Sequence, residues 1–330
     1  MEQIRLGTIG SGTIVRTILQ NVSQTPGIRL EAVYSRSHET GAALAARYGA
    51  DKVYTDLRQL LADEAVNCIY VASPNSLHYA HTKAALLAGK HVICEKPFCP
   101  QASQVRELAQ LAAEKGLLLV DATPTAFLPN LQILKDQLPG IGRIRLVMGN
   151  YSQYSSRFDK LLQGEVTNVF DPNFAGGCLM DINYYNLYLN VLLFGKPQSA
   201  EYTPNLWHNG IDTSGCLTLR YPGFVSTNIG AKDTWGVNFF QIEGEKGFIY
   251  ITGGSNGLDT IRVVTKTSDE TFTNQFSEDR WSYEVQRISA LLLAEDHTTI
   301  RQRLETAIST VEVLEQARLD AGIRFPCDTL

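Results

Sequence analysis

Strand-like and helix-like segments alternate through residues 1–122, and this alternation restricts the possible folds more than any other feature of the chain. Ile4–Ile9, Arg29–Ser35, Val53–Tyr54, Cys68–Ala72, Val92–Cys94 and Leu117–Asp121 are short apolar runs with strand character. Helical patterns separate them: the stretch from Thr13 through Gln24, then Glu39–Tyr48, Leu57–Leu61, Ser76–Ala88 and Ala102–Lys115. Gly89 and Gly116 end the last two as C-caps. A strand–helix repeat of roughly 20–30 residues specifies a doubly wound parallel sheet. In such sheets ligands bind in the crevice outside the carboxyl ends of the strands, so the residues that follow each strand are the candidates for chemistry.

Four of these strand ends carry recognisable chemistry. After the first strand comes Gly10-Ser-Gly12-Thr13-Ile14-Val15, opening a helix. Gly10 permits a tight turn, and Gly12 lets a pyrophosphate approach the backbone at the helix N-terminus. Val15 stands where a dinucleotide fingerprint normally has Gly or Ala. The second strand ends in Tyr34-Ser35-Arg36-Ser37, without the acidic residue that would hold an NAD ribose. A guanidinium there suits a 2′-phosphate, so NADP is the expected cofactor and NAD the alternative. Ser73-Pro74-Asn75 and His78 follow the fourth strand; Asn75 or Ser76 caps the next helix, and the segment lies beside the glycine loop. Glu95-Lys96-Pro97 closes the run His91–Pro97, with proline holding Lys96 in an extended turn.

Taken together, the GxG loop, the stretch from Ala72 to Pro97 (ASPNSLHYAHTKAALLAGKHVICEKP) and the later Gly176-Gly-x-Leu-x-Asp181 resemble the glucose–fructose oxidoreductase / inositol dehydrogenase (Gfo/Idh/MocA) family over nearly the whole chain. The resemblance implies an N-terminal NAD(P)-binding Rossmann domain, 1–122. It also implies a C-terminal α+β domain with an open, mostly antiparallel sheet, 123–330, whose last helix can return to the first domain. Members mostly oxidise or reduce a carbinol or carbonyl of a sugar, polyol or related ring, and the family's catalytic lysine maps onto Lys96. Two departures stand out. Asp121-Ala-Thr-Pro-Thr-Ala-Phe127 lacks the Trp and Arg that relatives near the dihydrodiol dehydrogenases carry, which leaves the substrate class open. Tyr185 occupies the position of the family's proton-donating histidine, and Asn183 that of a glycine.

In the second half, Leu179–Phe194 reads as a buried helix on which Asp181 and Tyr185, four apart, share a face. Tyr184 is the rival tyrosine. Alternating runs at 215–221, 225–231, 238–243, 248–252 and 260–265 build a second sheet, with Gly253–Gly257 as a hairpin turn. A helical stripe over Thr299–Asp320 ends the chain. The catalytic expectation is therefore that Lys96 stabilises alkoxide charge and that Tyr185 moves the proton, its pKa lowered by a neighbouring cation, while Asp181 orients them. Glu95 joins Gly10, Gly12, Thr13, Ile14, Ser35, Arg36, Ser73, Pro74, Asn75, His78 and Lys96 in the expected cofactor site. A cofactor-sensing binding protein would keep the glycine loop without turnover, and a glycosidase with transient oxidation by NAD would show no net cofactor turnover.

A net charge of −5 without basic runs argues against a nucleic-acid partner. No apolar stretch reaches spanning length, and Met1-Glu2-Gln3 leads straight into a strand, leaving no room for a signal peptide. Six scattered cysteines, several within apolar runs, suggest reduced thiols in the cytoplasm; no ligand set suggests a metal. The large open sheet suggests a homodimer or homotetramer acting on a small molecule.

Overall fold

Six strands make a wholly parallel sheet: β1 (Ile4–Ile9), β2 (Ile28–Tyr34), β3 (Lys52–Tyr54), β4 (Cys68–Val71), β5 (His91–Glu95) and β6 (Leu119–Ala122). Their order is β3-β2-β1-β4-β5-β6, which reverses direction between β1 and β4. That switch point opens the crevice in which doubly wound sheets bind ligands. β4 and β6 are buried at every residue, as expected for strands covered by helices on both faces.

The computed structural model describes residues 1–277 and 279–329. The chain forms two units. The first comprises Met1–Cys99, Ser103–Thr123 and Asp279–Ile308; the second comprises Pro100–Ala102, Pro124–Glu278 and Ser309–Leu330. The return of residues 279–308 to the first unit adds the helix Arg280–Leu293, capped by the Asp279 carboxylate, which accepts from Trp281 N. Val285, Ile288 and Leu292 form its buried stripe. Asp279 also accepts a hydrogen bond from Asn21 Nδ2 at 2.8 Å, which ties this helix to the helix Thr13–Val22.

The second unit is built on eight strands: β7 (Ile144–Ser152), β8 (Ser199–Leu206), β9 (Asp212–Tyr221), β10 (Phe224–Ala231), β11 (Phe239–Gly244), β12 (Gly247–Thr252), β13 (Ile261–Thr265) and β14 (Asp269–Phe272). Their order is β14-β13-β12-β11-β7-β10-β9-β8. All neighbours are antiparallel except β7 and β10, which run parallel with Ser152 opposite Ala231. The helix Tyr184–Phe194 covers one face, and buried amides fasten it there. Asn190 Nδ2 donates to Asn228 Oδ1 at 2.9 Å, Asn183 Nδ2 to the Asn228 carbonyl at 3.2 Å, and Ser255 Oγ to Asn186 Oδ1 at 2.6 Å. Each such bond contributes about 1 kcal/mol, and the two to Asn228 fix the segment in register on β10. Gly253–Gly257 is not a plain hairpin turn as expected. It holds one helical turn, Gly254–Gly257, that packs against the covering helix.

Candidate active site

The candidate residues fall into two groups, one in each unit. In the first unit, the turn after β1 has Gly10 at φ +126°, where a Cβ would stand 2.6 Å from the Ala72 carbonyl oxygen. Only glycine fits. At Gly12 the situation is reversed, since a Cβ would meet nothing within 4 Å. Gly12 is the N-cap of Thr13–Val22, with no side chain capping the helix and no acidic residue in its first turn. The open space and the lack of a capping side chain suit a pyrophosphate. Val15 is fully buried, so the third fingerprint position packs well with a larger side chain.

Ser35, at the end of β2, is buried and accepts from Ser37 N at 3.3 Å, while Arg36 is exposed. Ser73, Pro74 and Asn75 are half-buried beyond β4, with Ser73 Oγ 2.9 Å from His81 Nδ1. His78 stands behind these turns, 1% exposed. Its Nδ1 lies 3.0 Å from the Pro97 carbonyl and its Nε2 2.7 Å from the Ser73 carbonyl. Burial pushes its pKa down, and the two carbonyls oppose that shift. A neutral imidazole donates to one of these carbonyls at a time, so His78 sits between the β4 and β5 turns and bonds one of them.

At the end of β5, Glu95 is buried and Lys96 half-buried. Tyr70 donates its hydroxyl to Glu95 Oε1 at 2.5 Å, and Lys96 N donates to Glu95 Oε2 at 3.3 Å. Burial raises the Glu95 pKa, while Tyr70 and then the Lys96 charge hold it down. The lysine on this turn is therefore backed by a rigid, dry carboxylate.

In the second unit, Asp181 lies in a π-helical turn, Leu179–Asn183, and Tyr185 in the α-helix that follows. Asp212 anchors this turn. It is buried, accepts from Leu179 N at 2.6 Å and from the Tyr202 hydroxyl at 2.6 Å, and burial raises its pKa. Asp181 pairs with Lys232, the residue after β10, which is 5% exposed. The Lys232 ammonium also lies 5.8 Å from the Phe170 ring centroid. Tyr185 packs edge-on against Tyr151 at 5.7 Å, in a cluster with Cys178 and Ile182. Tyr184 is wholly buried and Tyr185 keeps 6% exposure.

Lys232 and Asp212 escaped the sequence reading. Lys232 sits in Ala-Lys-Asp and Asp212 in Ile-Asp-Thr, contexts that look like ordinary surface charge. The tight glycine Gly177, whose Cβ would meet Asp212 Oδ1 at 2.1 Å, is the one mark the sequence carries of a close neighbour at this turn.

Residues 4–122 match a family model described as an oxidoreductase family with an NAD-binding Rossmann fold, and residues 139–250 match a GFO/IDH/MocA C-terminal domain. A scyllo-inositol 2-dehydrogenase (NADP(+)) of Bacillus subtilis (strain 168) is 33% identical over 332 residues, covering 98% of this chain and 99% of the relative. A trans-1,2-dihydrobenzene-1,2-diol dehydrogenase of Mus musculus is 26% identical over 344 residues, covering 98% and 99%. Among solved structures, a 3-ketoreductase from Actinomadura kijaniata in complex with NADP and TDP-benzene superposes with a TM-score of 0.84 at 22% identity, covering 96% and 97%. At that identity the likeness speaks for the fold.

Proposed function

This chain belongs to the Gfo/Idh/MocA oxidoreductase family, and from that premise we propose a dehydrogenase/reductase that moves a hydride between NADP and a carbinol or carbonyl carbon of a sugar, polyol or related cyclic diol. The observation that carries the reading is the Glu95-Lys96-Pro97 turn at the end of β5. It holds a lysine against a buried carboxylate in a unit whose first turn is shaped for a pyrophosphate. The Bacillus relative, named for scyllo-inositol and NADP(+), supports the polyol class and the cofactor.

Gly10, Gly12, Thr13, Ile14, Ser73, Pro74 and Asn75 would hold the dinucleotide, with Arg36 at its 2′-phosphate. The dinucleotide, when bound, supplies the hydride acceptor or donor. Lys96 directs its ammonium at the reacting oxygen and stabilises alkoxide charge as the hydride leaves carbon. Tyr185 takes the hydroxyl proton in oxidation and returns it in reduction. Lys232 neutralises Asp181, so Asp181 orients its neighbours as a hydrogen-bond acceptor and does not serve as a free base. Six cysteines without disulfides support a cytoplasmic setting.

Absorbance at the nicotinamide band tests this, with NADP or NAD offered together with inositols, aldoses and trans-diols. Lys96→Met should lower kcat by orders of magnitude while cofactor still binds. Tyr185→Phe should lose about 10²–10⁴-fold and abolish the ionisation that shapes the pH profile. Near-normal kcat with an unchanged profile in Tyr185→Phe would return that residue to the core.

A further inference from the structure

Asp212 opens β9 and is 1% exposed, and the chain around it is cleared for its carboxylate. Gly177, at φ +112°, leaves Asp212 Oδ1 the space that a Cβ would fill, and a Cβ on Gly215 would stand 2.4 Å from the Tyr202 hydroxyl oxygen. In that space Asp212 Oδ2 accepts from both the Tyr202 hydroxyl and Leu179 N, each at 2.6 Å. Burying a carboxylate is costly unless donors replace its water, and a leucine would fill the same volume without that cost. Packing alone does not account for an acid here.

The groups it holds do. The amide that begins a helical turn has no carbonyl of its own helix to bond, so the acceptor it finds decides where the turn begins. Leu179 N is the first amide of the π turn Leu179–Asn183, which carries Asp181. Gly177, pressed against the same carboxylate, accepts at its carbonyl from Asp181 N at 3.1 Å. Asp212 therefore reaches the Asp181 backbone by two routes. The next residues of β9 hold the other half of the ion pair. Thr213 O accepts from Lys232 N at 2.9 Å, and Asp233 Oδ2 accepts from Thr213 Oγ1 at 2.7 Å and Ser214 Oγ at 3.0 Å. Three consecutive residues, Asp212, Thr213 and Ser214, thus grip both the turn that carries Asp181 and the backbone that carries Lys232.

We propose that Asp212 is a positioning residue for the reaction: it fixes the turn that bears Asp181 against the strand segment that fixes Lys232, so that the two charges meet in one arrangement. Tyr202 aims the carboxylate, and Gly177 and Gly215 give it room. The effect on turnover passes through Asp181 and rests on the reading of Asp181 as the residue that orients its neighbours in the proton transfer. The anchoring of the turn rests on the hydrogen bonds alone.

Full-chain variants test this in two backgrounds, wild type and Asp181→Asn, with NADP and whichever inositol, aldose or trans-diol turns over fastest. Asp212→Leu removes the acceptor and should lower kcat about tenfold or more with the KM for NADP nearly unchanged, as misplacement of a reacting group does. Asp212→Asn can set its amide oxygen where Oδ2 stands and should recover most of that loss. In Asp181→Asn, adding Asp212→Leu should change kcat by less than about twofold, because residues that act as a unit do not lose additively. An equal fold loss in both backgrounds, or wild-type kcat in Asp212→Leu, overturns the proposal. If Asp212→Leu does not fold, Tyr202→Phe replaces it: a loss of kcat confined to the wild-type background is expected, and no loss or the same loss in both overturns the proposal. Wild-type kcat in Asp181→Asn itself would mean that the reading of Asp181 has failed. Hydrogen exchange at the Leu179 amide then still judges the anchor, which should exchange faster in Asp212→Leu and near the wild-type rate in Asp212→Asn; an unchanged rate in Asp212→Leu refutes it.

Discussion

Lys232 and Asp181 lie 51 positions apart in the chain and form one ion pair. Its two members are unequally buried, with side-chain exposures of 7% and 32%. Breaking it should therefore be asymmetric. Asp181→Asn strands a nearly dry ammonium, whereas Lys232→Met leaves a carboxylate that water can partly rehydrate. Asp181→Asn should cost more stability, about 1–3 kcal/mol in urea unfolding, and Lys232→Met less. Equal losses would mean that solvent screens the pair. The activity of Lys232→Met separates orientation from packing: if the pair aims Asp181, kcat falls while the KM for NADP holds. Periodicity could not reveal this pair, because a lysine just past a strand looks like any solvated cation. Only the pairing of β10 with β7 shows where Lys232 goes.

The legibility of the elements followed from how many faces each one buries. β1, β4 and β5 are covered on both sides and read directly as apolar runs, which is why the glycine loop and the Lys96 turn could be located from composition. The edge strands of the second sheet were not legible. β14 is Asp-Glu-Thr-Phe, and β8 carries Pro204; charge and proline protect edges from pairing and erase strand character. The helix Arg280–Leu293 was missed for a related reason, since Glu284 and Ser289 stand among its buried residues and break the apolar period. The Asp181 segment reads as helix, and that its first turn is π cannot be inferred from spacing. The β2 turn supports a prediction at this scale. Arg36 is exposed and stands where an acidic residue would select NAD. Arg36→Ala should weaken NADP about tenfold or more by calorimetry, since a charge-assisted bond contributes about 1.5–3 kcal/mol, and it should leave NAD binding unchanged. Tighter binding of NAD than NADP by the wild type would remove the basis for that prediction.

For the whole molecule, the uncovered face of the second sheet is the feature to explain. Ile229 is 45% exposed, and Leu146, Met148, Phe239 and Tyr250 are half-buried at positions that alternate with core residues. Phe239 and Tyr250 stack across strands at 6.0 Å. Asn150 and Gln241 interleave with them across the strands, and a sheet face with this many large apolar side chains suits contact with another copy of the chain. The expected result is a dimer or tetramer by light scattering at micromolar concentration, shifted toward monomer by Ile229→Glu; a monomeric wild type would refute it.

The parallel pairing of β7 with β10 also bears on how this molecule could diversify. Tyr151 lies within β7 near its end, Lys232 directly follows β10, and Gln153 N donates to the Ala231 carbonyl at 2.9 Å, so both strands deliver their side chains at one end. The chain between them leaves and returns through a long excursion that includes Phe170, Asp181 and Tyr185. Lengthening or shortening the part from Ser156 to Thr167 would leave both strand ends, and the Ser155 N bond to the Lys232 carbonyl, where they are. New substrates could then be acquired by insertion and deletion in that excursion, with Asp181, Tyr185 and Lys232 inherited unchanged.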